Sequence, residues 1–377
     1  MKIHVLSITL AFFFFLVSCS NSVQYSDVKE EKSQSPEWTW ISYDSDALRI
    51  SGRAAYGDGD YVVLSWSASA VTVAFVGTAL EAKMRADGFV YLDVFVDGEG
   101  NPSSLIKLDH GDEPSTMPVI SGLPDGIHVV TLYKRSESYF GDWYFYGMRV
   151  LGRAQKEHLP AAPKRKIEFV GNSITCGSEV LIPEHGMKTE TIYESAYYSY
   201  AGQTAKNLDA EYHSICSSGR GVYLNCDGTK AFRLPDVYDK LGAGGKIDGK
   251  WDHGKWHPDV VVMNLGTNDF ASGKNDSAHF VNAAIDFVRH IRSCHPKAKI
   301  VILDGPMLVG VYKTKCRQFL NVVKKTLENG GEKGLFRFSL EPKGTSAQGI
   351  YFHPNKEEAA ADAESLSAWM RSKFGWD

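Results

Sequence analysis

The hydrophobic pattern of this chain changes near residue 160, and that change limits the folds open to it. From about Trp38 to Gly152, short apolar and aromatic runs such as Val71–Val76 are separated by turn signals. Asp97-Gly98 and Asp125-Gly126 are two such signals, because their residues tolerate the positive φ angles of tight hairpins. Short strands at this spacing predict an antiparallel β-sandwich, of which the jelly roll is one version.

Strands and helices alternate after a proline-containing linker at residues 154–165. Lys166–Val170, Val260–Leu265 and Lys299–Leu303 are apolar runs typical of buried strands. Ser277–His295 instead places apolar residues on one helical face. This alternation predicts a three-layer α/β/α domain with a parallel sheet. We therefore predict a β-sandwich domain over residues 38–153 and an α/β domain over residues 165–377.

The N-terminus has the form of an export signal. Lys2 precedes an apolar run, Val5–Val17, which is too short to span a bilayer comfortably and suits the core of a signal peptide. The run ends in Leu16-Val17-Ser18-Cys19, which resembles the lipobox of bacterial lipoproteins. That resemblance implies cleavage before Cys19 and acylation of its sulfur and amino group. An ordinary secretory signal is the alternative.

We accordingly expect a signal peptide over residues 1–18, then a lipidated Cys19 and a polar tether over residues 19–37. The protein would be exported and attached to a membrane, on its periplasmic face or at the cell surface, only through the lipid anchor.

Charge excludes one class of partner. The chain has 41 Lys plus Arg against 45 Asp plus Glu, for a formal net charge of −4. Nucleic-acid-binding proteins usually carry a strongly basic surface, so we expect no nucleic-acid partner. The six cysteines include no C-x-x-C pair, and the default expectation for them is small buried thiols.

Chemistry-bearing residues gather where predicted strands end. Ser173 follows the first α/β strand within Gly171-Asn172-Ser173-Ile174, and a serine at such a strand-to-helix turn can expose a nucleophilic hydroxyl. Gly219 and Asn268 follow two further strands, and His353 precedes the last predicted helix. Because ligands bind beyond the carboxyl ends of parallel strands, we expect these residues to meet in one crevice.

The order of these four blocks resembles the SGNH (GDSL-like) hydrolase superfamily, with Asn172 standing where that family usually has Asp. The preceding β-sandwich, together with Ser218–Val222 and Gly266–Phe270, resembles carbohydrate esterase family two, which has an N-terminal jelly-roll domain. The resemblance implies that Ser173 is the nucleophile and His353 the general base. It implies an oxyanion hole made of the Ser173 and Gly219 N–H groups and the Asn268 amide. No cofactor is implied.

The histidine block departs from the superfamily pattern. Many relatives have an Asp three residues before the histidine, where this chain has Ile350. We expect a backbone carbonyl of the Gly349–His353 segment to orient the ring, which would give a Ser–His dyad. A distant carboxylate such as Glu341 and an inactive enzyme are the alternatives. Asn355 is the expected N-cap of the following helix, with Glu358 reaching back to it.

Aromatic residues near the blocks are candidates for a sugar-binding platform, although for any single one of them packing is the favoured role. These candidates are Trp251, Trp256, Tyr223 and Tyr351. His253 and His257 lie four residues apart, but their glycine-containing segment lacks a helical pattern. We therefore expect no metal site there.

The family resemblance, rather than composition, implies a substrate class. We predict an exported, lipid-anchored carboxylic ester hydrolase, similar to acetyl xylan esterases. It would remove O-acetyl groups from an acetylated plant cell-wall polysaccharide or oligosaccharide, such as acetylxylan or acetylated mannan, through an acyl-enzyme. The alternatives are another SGNH esterase or lipase, and a non-catalytic glycan-binding lipoprotein. The cleft is expected at the border of the two domains.

Overall fold

The computed structural model describes residues 37–376 except 58, 185, 245–246, 248, 272, 274–276 and 342–351. The predicted signal peptide, Cys19, nearly all of the tether, and Tyr351 therefore lie outside the described residues. In the described part, no helix combines the length and the apolar character that crossing a membrane requires.

The first sheet contains nine strands, all paired antiparallel. They are β1 (Trp38–Ser42), β2 (Leu48–Ser51), β3 (Ala54–Tyr56), β4 (Val62–Leu64), β5 (Ala70–Ala86), β6 (Val90–Val96), β7 (Ser104–Leu108), β8 (Ser115–Lys134) and β9 (Trp143–Ala154).

This sheet is curled. Its order is β3-β4-β9-β5-β8-β6-β7, with β1 added to β9 and β2 added to β5. Register shifts in the long strand β5, between Gly77 and Ala79 and between Leu80 and Glu81, bend it against β8. The curled sheet encloses an apolar core that includes Phe75, Leu92 and Trp143. The predicted β-sandwich is confirmed in this form, as a curled antiparallel sheet.

The second sheet is parallel and has five strands in the order β11-β10-β12-β13-β14. The strands are β10 (Arg165–Gly171), β11 (Ala210–Cys216), β12 (Val260–Asn264), β13 (Lys299–Asp304) and β14 (Leu335–Ser339). Because the chain moves to opposite sides of β10 for β11 and β12, a crevice opens at their carboxyl ends. This confirms the predicted parallel α/β domain.

Seven helices accompany the second sheet within the described residues. They are α1 (Ser173–Cys176), α2 (Tyr200–Asn207), α3 (Leu234–Val237), α4 (Thr267–Ala271), α5 (Ser277–Cys294), α6 (Gly310–Asn329) and α7 (Lys356–Phe374). Short 3₁₀ turns lie at Lys156–His158, Thr191–Tyr193 and His253–Lys255.

Both faces of the parallel sheet are covered. In β12, Val261 and Met263 share an apolar cluster with residues of α5 and α6, whereas Val260 and Val262 share one with residues of α2 and α7. The alternation follows from the period of two in a strand. The expected cap of α7 is confirmed, because Asn355 and Glu358 accept each other's backbone N–H groups at 2.9 and 3.1 Å.

A buried ion pair links the two sheets. Arg53, between β2 and β3, places its guanidinium 3.1 Å from Glu168 of β10, and both side chains are fully buried. Burial alone would raise the pKa of Glu168, but Arg53, His295 and Tyr238 hold it well below its ordinary value. Removing either charge would leave the other uncompensated, which is strongly destabilising.

Candidate active site

Ser173 is the first residue of α1, directly after β10. The turn needs Gly171, because a Cβ there would lie 2.1 Å from Thr175 Oγ1. Asn172 caps the helix, and its Oδ1 accepts the Ile174 N–H at 3.1 Å. Asn and Asp cap helices about equally well, so the family's usual Asp is replaced without loss of this turn.

Three potential N–H donors surround the serine. Among the described residues, the backbone N–H groups of Ser173 and Gly219 donate to no protein acceptor. Gly219 has φ +75°, a conformation that favours glycine. Asn268, in α4, donates one Nδ2 hydrogen to the Arg220 carbonyl at 2.7 Å, which leaves the second hydrogen for another acceptor.

Asp269 binds the loop that carries Gly219. This buried carboxylate accepts the backbone N–H groups of Val222, Tyr223 and Leu224 at 3.1, 2.7 and 3.0 Å. Burial raises the pKa of Asp269 above its ordinary value, and the three hydrogen bonds oppose that rise. Asn268 therefore offers an N–H donor to the pocket, and Asp269 holds the loop that carries Gly219.

A carboxylate that the sequence analysis did not single out contacts the histidine. His353 Nδ1 lies 2.9 Å from Oε2 of Glu179, and the His353 backbone N–H donates to the same oxygen at 3.4 Å. The Thr189 hydroxyl donates to the other oxygen, Oε1. Burial alone would raise the pKa of Glu179, but the hydrogen bonds from His353 and Thr189 hold it below its ordinary value.

This contact corrects the expected dyad. A side-chain carboxylate, that of Glu179, faces the imidazole. The alternative candidate, Glu341, is bound by Arg317 instead. Glu179 lies six positions after Ser173 in the chain. The acid thus comes from the nucleophile block rather than from the histidine block.

These groups line one pocket of about 430 Å³. Ser173, Glu179, Gly219, Asn268 and His353 all contribute to its wall. Glu137 and Phe140, which follow β8 of the first sheet, contribute as well. The pocket is therefore built by loops that follow strands of both sheets, in agreement with the expected cleft at the domain border.

A disulfide ties two of the blocks together. Cys176, at the end of α1, is bonded to Cys216, the last residue of β11, with a Cα–Cα distance of 5.6 Å. The expectation of buried thiols is therefore wrong for this pair. Cys226, Cys294 and Cys316 are free thiols. The bond joins the turn of Ser173 to the strand that leads into Gly219.

Two family models match the chain. Residues 50–163 match Carbohydrate esterase 2 N-terminal, and residues 169–361 match the GDSL-like Lipase/Acylhydrolase family. A solved family two carbohydrate esterase from Clostridium thermocellum, in complex with cellohexaose, is 30% identical. Its TM-score is 0.82, and the match covers 88% of this chain and 100% of that one. This chain belongs to carbohydrate esterase family two.

Further relatives of this esterase agree. An acetylxylan esterase / glucomannan deacetylase from Cellvibrio japonicus is 29% identical over 96% of each chain. The cellulase/esterase CelE from Acetivibrio thermocellus is 31% identical over 92% of this chain, but the match spans only 41% of CelE. The predicted family, and the prediction of a carboxylic ester hydrolase, are confirmed.

Two buried acids in the pocket wall were not predicted. Glu137 Oε2 accepts the Ser218 N–H at 2.8 Å, next to Gly219, and a Glu194 carboxylate oxygen accepts the Glu137 N–H. Burial raises the pKa of Glu194 well above its ordinary value, and the Glu137 charge adds to the rise. Burial raises the pKa of Glu137 as well. No local motif marks either residue.

Three of the four predicted platform residues do not line the pocket. Trp251 and Trp256 are buried, and Trp256 stacks on His213 with ring centroids 3.7 Å apart. Both tryptophans line a separate pocket of about 200 Å³. Tyr223 stacks on His279 at 5.3 Å. The structure corrects the platform prediction for these three in favour of packing, and Tyr351 is outside the described residues.

Proposed function

We propose that this esterase removes O-acetyl groups from an acetylated plant cell-wall polysaccharide, of the acetylxylan or acetylated mannan type. The observation that carries the proposal is the convergence of Ser173, His353 and three N–H donors on one pocket. The names of its relatives, which include acetylxylan esterase and glucomannan deacetylase, support the substrate class.

The reaction follows from the groups present. Ser173 Oγ attacks the acetyl carbonyl carbon while His353 takes the hydroxyl proton. The resulting oxyanion accepts hydrogen bonds from the Ser173 and Gly219 N–H groups and the Asn268 amide. The C–O bond to the sugar then breaks, and His353 returns its proton to the leaving hydroxyl. Water, deprotonated by the same imidazole, then attacks the acyl carbonyl carbon. The bond from that carbon to Ser173 Oγ breaks, His353 returns the proton to Oγ, and acetate is released.

Glu179 acts in this mechanism by positioning the imidazole. Its contact with Nδ1 places the ring proton on that nitrogen, so that Nε2 is left to accept the serine proton. When the imidazolium forms, the carboxylate supplies the opposite charge. Glu179 thus takes the place of the Asp that the histidine block lacks.

The activity is tested by measuring acetate release from acetylated xylan and acetylated glucomannan. Ser173→Ala is expected to lower the rate by more than about 10⁴-fold, because the nucleophile is lost. Ser365→Ala, an exposed serine on α7, is the matched control and should retain the wild-type rate. Undiminished acetate release by Ser173→Ala would contradict the mechanism.

Two further measurements distinguish the alternatives. Aryl esters of increasing acyl length separate an acetyl esterase from a lipase, which would prefer long chains. Binding of the deacetylated or acetylated polysaccharide without any acetate release would instead indicate a glycan-binding lipoprotein.

We further propose that the esterase is exported and held at a membrane by acylated Cys19. The support is the sequence Leu16-Val17-Ser18-Cys19 directly after the apolar run. Metabolic labelling with an alkyne fatty acid should label the wild type and not Cys19→Ser. Cys226→Ser removes an exposed thiol and should keep the label. Labelling of Cys19→Ser at the wild-type level would refute the anchor.

A further inference from the structure

A second group of chemistry-bearing side chains lies outside the pocket. It is formed by Asp239 from the loop after α3, His253 from a 3₁₀ turn, and His290 and Cys294 from the last turns of α5. None of the four lines the pocket of Ser173. Because His290 and Cys294 are four residues apart, they lie on one face of the helix.

The potential ligand atoms are close together. Asp239 Oδ1 is 2.8 Å from His290 Nε2 and 3.0 Å from His253 Nε2. Cys294 Sγ is 3.8 Å from His290 Nε2. The ligand atoms of Asp239, His290 and Cys294 all lie within 4.8 Å of one another. Tetrahedral Zn²⁺ with bond lengths of 2.0–2.3 Å separates its ligand atoms by about 3.3–3.8 Å, so small side-chain movements close the set.

The chemistry of the set favours one class of ion. Imidazole nitrogen, thiolate sulfur and carboxylate oxygen are the ligands that Zn²⁺ uses, whereas Ca²⁺ and Mg²⁺ require oxygen. Hydrogen bonding accounts for two histidines around one carboxylate, and Cys294, which packs against the apolar cluster of α5 and α6, brings a sulfur ligand to within 3.8 Å of His290 Nε2. The side chains of His290 and Asp239 are 40% and 32% exposed, which leaves a path for the ion.

We propose that Asp239, His290 and Cys294 bind a zinc-type transition-metal ion, and His253, whose Nε2 lies 3.0 Å from Asp239 Oδ1, is the nearest candidate for the fourth position. The site would be structural, because it would fasten α5 to the loop after α3 and to the 3₁₀ turn at a distance from the catalytic groups. The proposed set does not include His257, which is exposed, so the spacing of His253 and His257 in the sequence did not reveal it. A metal bound only by the folded chain adds its binding free energy to stability.

The test uses the purified full chain without an affinity tag, after removal of metal by a chelator. Equilibrium dialysis against Zn²⁺ is expected to give one bound equivalent and a raised Tm. Co²⁺ as a spectroscopic probe is expected to give thiolate-to-metal charge-transfer absorption. Cys294→Ser should abolish that absorption, and both Cys294→Ser and His290→Gln should weaken Zn²⁺ binding by more than about tenfold.

Matched controls keep the result specific. Cys226→Ser and His257→Gln remove an exposed thiol and an exposed imidazole, and both should bind metal as the wild type does. The far-ultraviolet circular dichroism spectrum of each variant verifies that it has folded. Absence of Zn²⁺ binding by the wild type at micromolar concentration would overturn the proposal. Unchanged affinity in Cys294→Ser and His290→Gln would also overturn it.

Discussion

Replacing Glu179 by Gln tests whether this carboxylate positions the His353 imidazole, a role that the sequence analysis did not assign to it. The substitution keeps the size of the side chain and an oxygen that can accept from Thr189. It removes the negative charge beside His353 Nδ1, 2.9 Å from the carboxylate. An amide –NH₂ facing Nδ1 would also favour the ring tautomer that carries its proton on Nε2, which cannot accept the serine proton.

The expected size of the effect follows from the geometry. Opposite charges centred about 4 Å apart attract by about 4 kcal/mol at an effective dielectric constant of about 20. That attraction is absent while the imidazole is neutral and present once the imidazolium forms, so it lowers the barrier and not the binding energy. At about 1.4 kcal/mol per tenfold change, its loss lowers kcat by about 10³-fold. KM should change little.

The assay is kcat and KM for an aryl acetate across a range of pH. Glu179→Gln should lower kcat about 10³-fold, because the imidazolium that forms during the reaction has lost its counter-charge. Glu179→Asp keeps the charge and should recover part of the rate. Glu341→Gln is the matched control, because Glu341 is bound by Arg317, and should lie within twofold of wild type. A Glu179→Gln rate within tenfold of wild type would refute the reasoning.

Three further predictions concern the surroundings of the pocket. Asn268→Ala should lower kcat by about 10²–10³-fold, because one donor to the oxyanion is lost. Asn321→Ala, which changes an exposed asparagine, is the control and should leave kcat unchanged. An unchanged kcat in Asn268→Ala would exclude Asn268 as an oxyanion donor. Joint replacement of Cys176 and Cys216 by Ser should lower the free energy of unfolding by about 4 kcal/mol, measured in urea, because a sequence separation of 40 is released; equal midpoints would contradict this. Glu194→Gln should raise Tm more at pH 8 than at pH 4. The pKa of Glu194 is raised in the folded state, so the wild type loses stability as pH rises above the ordinary value of 4.5. An equal gain in Tm at both pH values would contradict this prediction.

Periodicity was sufficient to predict the layers of the fold. Strands such as Val260–Asn264 are buried on both faces, and they appear in the sequence as uninterrupted apolar runs. The curl of the first sheet was not predictable in the same way. It depends on register shifts around Gly77 and Leu80 in β5, and the partners of these two residues in β8, Gly126 and Ile120, are 49 and 40 residues away in the chain.

The residues of the candidate site fall into two groups, those that local sequence pattern located and those that it did not. Ser173, Gly219, Asn268 and His353 each follow a strand or precede a helix, so local pattern and block order located them. Glu137, Glu179 and Glu194 are placed at the site by the tertiary fold and are buried, but their local sequences resemble those of exposed acids. The absence of an Asp before His353 was the one available signal that a carboxylate from elsewhere in the chain orients the histidine. Trp251 and Trp256 were misassigned in the sequence analysis because burial, which no local pattern reports, decides whether a ring packs or faces a substrate.

The contacts of Glu179 predict how the active site loses activity at low pH. Ser173, Cys176 and Glu179 belong to one short segment, which the disulfide to Cys216 fastens to the loop of Gly219. His353 comes from a distant part of the chain, and Glu179 holds both its ring and its backbone N–H. Because the pKa of Glu179 is lowered by folding, the stability that these contacts provide is present above its ordinary value of 4.5 and is lost as pH falls through the folded value. Protonation of Glu179 therefore weakens the contacts that position the general base, while the disulfide still holds the segment of the nucleophile, so the activity lost through these contacts should return when the pH is restored.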